Sequence, residues 1–406
     1  MAFFKQLLPH QTLQYSGQTA IHHLYVASLV ESKRPFALFK LPNSEVAHLM
    51  VSAKKEVQAQ TIDFKSEKPF FLVGPFFNEK KHAFCIPADY QLSYHIPMGF
   101  TFNADKKSME FFGQMNPTNS PTETPEKVIK NNWKETLSKS NFDFTKTVNE
   151  ALTALQAGVL SKVVLSRKIT LPLHAHADME HIFLEACQQY PTAMVSLVHL
   201  PESGLWLTIT PEYLLYADDK KIKTVALAGT KKVNEGESAA DVLWSQKEIE
   251  EQALVARYII EAFKRIRLRE YVDVGPQTIQ AGNLWHLKTE FEIKRSDIDN
   301  DDIELGLIHL LHPTAAVCGF PKAKAMEYIM HSEGYDRELY SGFLGPVNFE
   351  GKTSVFVNLR CAKIDYAALK VSLYAGAGII IGSNAEKETE ETYNKMLTVG
   401  RYFGLQ

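Results

Sequence analysis

Residues Lys162-Val-Val-Leu-Ser-Arg-Lys-Ile-Thr-Leu171 form a run of β-branched and aliphatic side chains that reads as a strand. Just before it, a helical stretch extends from about Asn131 to Ala157, and Gly158 stops it, as glycine often does just past a helix. The alternation continues toward the C-terminus. Met179–Gln189 reads as a helix ending before Pro191, followed by strands at Ala193–His199, Leu205–Ile209 and, past the turn at Thr210-Pro211-Glu212, Tyr213–Tyr216. A long amphipathic helix is expected from about Asp241 to Arg269, with Val242, Ile249, Ala253, Ile260 and Phe263 recurring at helical intervals. Helices near Glu304–Leu311 and Lys322–Met330, strands at Thr353–Ile364 and Lys370–Tyr374, and a last helix at Lys387–Tyr402 complete this half. Toward the N-terminus, Phe36–Leu41, Pro69–Val73 and His82–Ile86 are strand-like, and a surface loop is expected at Asn116–Glu126, where three prolines break any regular element. Helices packed on antiparallel sheets, an α+β architecture, is the class this order implies.

Composition narrows the function classes. The 406 residues carry a formal net charge of −3 and are 45% hydrophobic, which is ordinary for a globular protein with a sizeable core. Near-neutral balance without basic blocks argues against nucleic acid as a partner. Cys85, Cys187, Cys318 and Cys361 show no CxxC spacing, so neither a metal site nor a disulfide framework is expected, in keeping with a reducing, cytoplasmic setting. Met1–Gly17 has polar residues and Pro9 rather than a basic segment followed by an apolar core, so no signal peptide is expected. The longest apolar candidate, Tyr374–Ile381, is far short of the ~20 residues a membrane helix needs.

Several side chains could carry chemistry. Glu388, Glu391 and Lys395 share one face of the last helix, and Glu248 and Glu251 share a face of the long one. Two such carboxylate pairs could hold a hard cation such as Mg²⁺, although spacing alone favours solvated surface. Arg360 sits in an apolar strand and needs a partner, either a structural carboxylate or a ligand. Lys162 opens its strand, where a solvated end is the ordinary reading; as a base it would need burial or neighbouring positive charge. Glu212 as an acid would need burial that keeps it protonated. His286 and His312 are single histidines beside apolar residues, more often structural than catalytic. Ala375-Gly-Ala-Gly-Ile-Ile-Ile-Gly382 superficially matches a dinucleotide fingerprint, but lies too late in the chain to open a βαβ unit. Its glycines would permit close approach of a ligand.

Together these segments resemble the chorismate-binding enzyme family. The matching pieces, in family order, are Lys162-Val-Val-Leu-Ser-Arg167, Thr210-Pro-Glu-Tyr-Leu-Leu215, Leu227-Ala-Gly-Thr230, the Lys247–Val255 helix, Trp285-His-Leu287, Leu311-His-Pro-Thr314 with Gly319-Phe-Pro321, Tyr335-Asp-Arg-Glu-Leu-Tyr-Ser-Gly342, Arg360-Cys-Ala-Lys363, Ala375-Gly-Ala-Gly-Ile379 and Glu388-x-x-Glu-Thr-x-x-Lys395. The resemblance covers residues 130–406, and residues 1–115 form a divergent N-terminal part of the same single domain. It implies a large antiparallel β-sandwich flanked by helices, with the site between the layers. Members that use ammonia have glutamine where this chain has Lys162, and members that add water have lysine. The resemblance therefore implies isochorismate synthase activity on chorismate, with salicylate synthase, which also eliminates pyruvate, as the alternative. A nucleotide-binding or non-catalytic protein is the alternative of a different class.

The roles implied by the resemblance are specific. Lys162 would deprotonate the attacking water and Glu212 would protonate the leaving hydroxyl. Mg²⁺ would be held by Glu251 and Glu391, with Glu248 and Glu388 close by. Arg360 and the Gly376 region would receive the enolpyruvyl carboxylate, helped by Lys395. Gly229 and Thr230 would line the site and His286 would sit near the ring. Many relatives have Glu-His at the metal helix, whereas this chain has Glu251-Gln252. A monomer without nucleic-acid or membrane partners is the expected state.

Overall fold

The computed structural model describes residues 13–14, 25–77, 79–80, 82–96, 101–115, 143–174, 177–234, 236–281, 284–298 and 302–405. The expected loop at Asn116–Glu126 and the first part of the helix expected from Asn131 lie outside them. The N-terminal part supplies β1 (Leu13–Gln14), α1 (Tyr25–Glu31), β2 (Phe36–Lys40), β3 (Val46–Val51), β4 (Ala59–Gln60), β5 (Phe70–Gly74), β6 (Ala83–Pro87), β7 (Tyr90–His95), β8 (Thr101–Asn103) and α2 (Lys106–Gly113). The middle adds α3 (Phe144–Gln156), β9 (Lys162–Pro172), α4 (Met179–Gln189), β10 (Met194–Leu200), β11 (Gly204–Thr210), β12 (Tyr213–Ala217), β13 (Lys221–Lys232), α5 (Gln246–Arg265), β14 (Val272–Ala281) and β15 (Leu284–Lys294). The chain ends with α6 (Ile303–Leu311), β16 (Gly319–Phe320), α7 (Lys322–Ser332), β17 (Phe343–Val347), β18 (Thr353–Val357), β19 (Cys361–Asp365), β20 (Lys370–Ile379) and α8 (Ala385–Gly400).

Two antiparallel sheets result. One has the order β1-β8-β7-β3-β2-β10-β11-β19-β20-β9-β16 and the other β14-β15-β13-β12-β18-β17-β5-β6-β4, so N-terminal strands extend both. Their facing sides bury Phe39, Phe71, Val73, Met194, Trp206, Leu344, Phe356 and Tyr374 in one cluster. Burying such side chains contributes about 1.5–3 kcal/mol each. The outer sides carry helices: α4 and α8 cover the first sheet, and α5 and α6 cover the second. The α+β sandwich flanked by helices is thus the observed architecture. No helix among the described residues is long and apolar enough to cross a membrane.

Local sequence explains most boundaries, and three expectations need correction. The long helix starts at Gln246, not Asp241, because Ser245 N–H donates to Glu248 Oε2 (2.8 Å) in a capping box. It ends at Arg265, with Arg267 beyond it at φ +59°. Its buried side is Gln252, Val255, Tyr258, Ile259, Ala262 and Phe263, whereas Ile249 is exposed. The stretch Thr353–Ile364 is two strands in different sheets, and the chain crosses between layers at residues 358–360 with Arg360 at φ +48°. Asn358 secures that corner by donating to the Leu339 carbonyl and accepting from Thr208 Oγ1 (2.7 Å each). Finally, the strand expected to stop at Tyr374 runs to Ile379. Gly376 and Gly378 therefore lie inside β20, paired with Ser166 and Val164, and not in a strand-to-helix turn, which removes the dinucleotide reading.

Candidate active site

A cleft opens along β20. This strand pairs with β19 only as far as Leu373 but with β9 as far as Ile379, so one edge of its glycine-rich end is left to the cleft. Glu212, Gly229, Thr230, Glu251, His286, Arg360, Gly376 and Lys395 line it together with Val164, Leu227, Val317 and Leu359. Eight of the residues singled out in the sequence thus meet in one place, drawn from both sheets and from α5 and α8.

Lys162 is fully buried rather than solvated, and its Nζ lies 3.0 Å from Glu251 Oε1. Burial works to raise the Glu251 carboxyl, but Lys162, Lys395 and Lys247 outweigh it and hold it below its usual range. The pair rests on β20. A Cβ at Gly378 would come within 2.2 Å of Glu251 Oε1 and 3.1 Å of Lys162 Cε. Glu212 sits at the β11–β12 turn, where Thr210 Oγ1 donates to the Val357 carbonyl (2.7 Å) and Val357 N–H to the Glu212 carbonyl (3.0 Å). Its carboxyl is buried and pushed up to about 8 by desolvation, against the opposing pull of Lys162, Lys395 and Arg360. It is therefore protonated at neutral pH and can donate.

Lys395 and Arg360 bring positive charge to the same cleft. Lys395 Nζ donates to the Gly376 carbonyl (2.9 Å) and pairs with Glu391 Oε1 (2.6 Å). Arg360 donates from Nη1 to Thr398 Oγ1 (3.3 Å) and meets His286 Nε2 through Nη2 (3.5 Å). Among the described residues it forms no salt bridge, although the charges of Glu391 and Glu212 act on it. His286 is buried, and burial and Arg360 lower its ring to about 3. His312 turns instead to the Pro75 and Phe76 carbonyls (3.0 and 3.1 Å), away from the residues of the cleft.

The carboxylates proposed for a metal do not all converge. Among the described residues no three His, Cys, Asp or Glu side chains form a ready-made metal shell. Glu251 lines the cleft, whereas Glu248, Glu388 and Glu391 line an adjoining cavity that shares Thr230 with it. Lys162, Lys247 and Lys395 pair with Glu251, Glu388 and Glu391, and Glu248 serves the capping box. The donors nevertheless suit a hard cation. Glu388 is buried, its Oε2 has no hydrogen-bond partner among the described residues, and burial and Glu391 raise its carboxyl to about 7. Crowded acids of this kind are relieved by added positive charge, which lysines supply here. Gln252 lies beside Glu251 and donates to Thr289 Oγ1 (2.6 Å), fastening α5 to β15.

Sequence reasoning passed over several residues that build this site. Tyr340 and Tyr374 stack (centroids 5.5 Å apart) in its wall. The buried Glu333 accepts from Ser166 N–H (2.6 Å) and Arg337 Nε (2.7 Å), while Arg337 donates to the Val164 and Val317 carbonyls (2.7 and 2.8 Å). This pair ties β9 to the segment before β16. Both lie in or beside the quoted Tyr335–Gly342 motif, which was the available signal.

Comparison with known proteins gives consistent matches. A family model described as "Chorismate binding enzyme" matches residues 54–404. Isochorismate synthase EntC of Escherichia coli (strain K12) is 34% identical over 267 residues, covering 64% of this chain and 67% of that protein. Isochorismate synthase DhbC of Bacillus subtilis (strain 168) is 31% identical over 274 residues, covering 65% and 68%. Among solved structures, the menaquinone-specific isochorismate synthase MenF from Escherichia coli is similar with a TM-score of 0.73 at 19% identity, covering 99% of this chain and 97% of its own. Anthranilate synthase component I from Streptococcus pneumoniae TIGR4 is similar at 0.63 and 16% identity, covering 90% and 89%. At these identities the structural matches speak for the fold.

Proposed function

This chain belongs to the chorismate-binding enzyme family, and on that premise we propose that it is an isochorismate synthase acting on chorismate with Mg²⁺. The observation that carries the reading is the placement of a buried, protonated Glu212 in the cleft lined by Glu251, behind which Lys162 is buried as the partner of that carboxylate. Lysine at position 162 supports water over ammonia as nucleophile, and the relatives named isochorismate synthases support the same product.

Water adds at ring C2, the two ring double bonds shift, and the C4 hydroxyl departs as water, so substrate and product are isomers. Once its ammonium proton has been given up to solvent, Lys162 takes the proton of the attacking water; Glu212 delivers its proton to the leaving hydroxyl. Lys162 ends one proton richer and Glu212 one poorer, and exchange with solvent resets both. Arg360 and the Gly376 edge of β20 receive the enolpyruvyl carboxylate, with Lys395 beside them. Apolar Val164, Leu227, Val317 and Leu359 shield the ring from bulk water. Glu251 and Glu391 would hold Mg²⁺, with Glu248 and Glu388 beside them, and bound there it supplies positive charge for the ring carboxylate.

Incubating purified protein with chorismate and Mg²⁺ and separating the products tests the proposal. Isochorismate is the expected product. Salicylate with pyruvate would move the assignment to salicylate synthase, and anthranilate formed with ammonia would overturn the role of Lys162.

A further inference from the structure

Arg360 presents a buried positive charge to the cleft, and what orients it is unusual. Its Nη2 meets the ring of His286 at Nε2 (3.5 Å), at the outer limit of a hydrogen bond. The other ring nitrogen, Nδ1, lies 2.9 Å from the Gly229 carbonyl oxygen. A carbonyl can only accept, so Nδ1 carries the proton and Nε2 presents a lone pair. Thr230 Oγ1 also lies 3.5 Å from Nδ1.

The backbone makes this arrangement available. The β13–β15 ladder pairs Ala228 with Leu287 and Lys231 with Trp285, so His286 faces a bulge formed by Gly229 and Thr230. The bulge frees the Gly229 carbonyl from regular pairing and turns it to the imidazole. Gly229 adopts φ +72°, and a Cβ there would lie 3.2 Å from Glu248 Cβ, so both conformation and space favour glycine. The ring is buried and neutral, with the cations of Arg360 and Lys395 against it.

We infer that His286 is a positioning residue for Arg360: the bulge-locked neutral imidazole orients the guanidinium toward an anionic group of the substrate without quenching its charge. This deepens the proposed function and rests on it. A carboxylate at the same place would orient Arg360 equally well but neutralise it. An aliphatic side chain would leave both its charge and its direction unconstrained apart from Thr398.

Steady-state kinetics with chorismate and Mg²⁺ on three variants tests the assignment. His286→Leu removes the acceptor and should raise KM roughly tenfold or more, with kcat much less affected. His286→Gln offers an amide oxygen in place of Nε2 and should recover most of that loss. His286→Glu should raise KM further, because its carboxylate captures Arg360. Equal KM values for the Gln and Leu variants would reduce His286 to packing and overturn the inference. A loss confined to kcat would also overturn it, since that marks a proton-transfer role. Histidine ¹⁵N NMR of the whole protein without substrate gives a readout independent of turnover. The His286 signals, assigned by their loss in His286→Gln, should show a protonated Nδ1 and a bare Nε2; the opposite tautomer overturns the inference even if chorismate is turned over. If chorismate is not turned over but the expected tautomer is seen, it is the functional reading that fails.

Discussion

Lys162 Nζ and Glu251 Oε1 lie 3.0 Å apart on the face of β20 at Gly378, where no side-chain carbon could be added without displacing them. A base candidate, a metal-ligand candidate and a glycine of the β20 motif therefore form one contact. Lys162 comes from β9, Glu251 from α5 and Gly378 from β20, so the contact also reports the packing of the whole cleft.

Gly378→Ala should be far more damaging to activity than to folding. The added methyl must push Glu251 or Lys162 aside, and overpacking of this kind costs about 1–3 kcal/mol. Turnover should fall at least roughly a hundredfold, since displacements of about an ångström at a reacting group have that effect, while circular dichroism remains native. Near-normal turnover would show that the pair is not needed in this position.

Lys162→Ala should abolish turnover. It also leaves Glu251 without its buried partner, which should lower stability by about 3 kcal/mol or more. Combining it with Glu251→Gln should restore much of that stability and none of the activity. Denaturant titrations of the two single variants and the double variant check the coupling; additive losses would contradict it.

Glu212 makes a prediction about pH. Its folded carboxyl is raised from 4.5 to about 8, so between those values the folded protein binds the extra proton. The stabilisation linked to that proton is complete below 4.5 and is lost as pH rises through about 8. The proton donor disappears over the same upper range, so kcat/KM should fall above about pH 8. Glu212→Gln should be inactive and should lose the share of the wild-type decline in melting temperature that Glu212 causes between about pH 5 and pH 8. Activity that stays flat well above pH 8 would exclude Glu212 as the acid.

Glu391→Gln should act on metal dependence. The amide keeps the shape but removes a charge beside Lys395, so half-maximal activity should need at least roughly tenfold more Mg²⁺. An unchanged Mg²⁺ titration would exclude Glu391 as a ligand.

How far the sequence anticipates this structure depends on the kind of signal. The α+β class was legible, as were the helix Met179–Gln189 and strand β9, because each carries its own periodicity and stop signals. Leu287–Lys294 also alternates, but the strand opens on the unbroken buried run Leu284–Leu287 and lies beside β14, whose Gly275-Pro276 interrupts the pattern. The capping box Ser245-Gln-Lys-Glu248 was visible in the sequence and would have placed the start of α5 correctly. Arg360 shows the limit. Nothing in Val355–Ala362 signals that the chain changes sheets, since the apolar residues on both sides of the corner are buried alike and only the φ of Arg360 reveals the turn. Contacts between distant elements, such as Lys162 with Glu251 or His286 with Arg360, depend on packing that no local pattern encodes. Family resemblance grouped those residues, and the coordinates supply their pairings.

The central claim is that water, activated beside Lys162 and Glu212, adds to C2 of chorismate. Turnover of chorismate with Mg²⁺ in H₂¹⁸O, followed by mass spectrometry of the separated product, tests it most directly. The account predicts isochorismate with one ¹⁸O in its ring hydroxyl. Isochorismate without solvent oxygen would contradict the mechanism, and no conversion of chorismate under these conditions would contradict the assigned function.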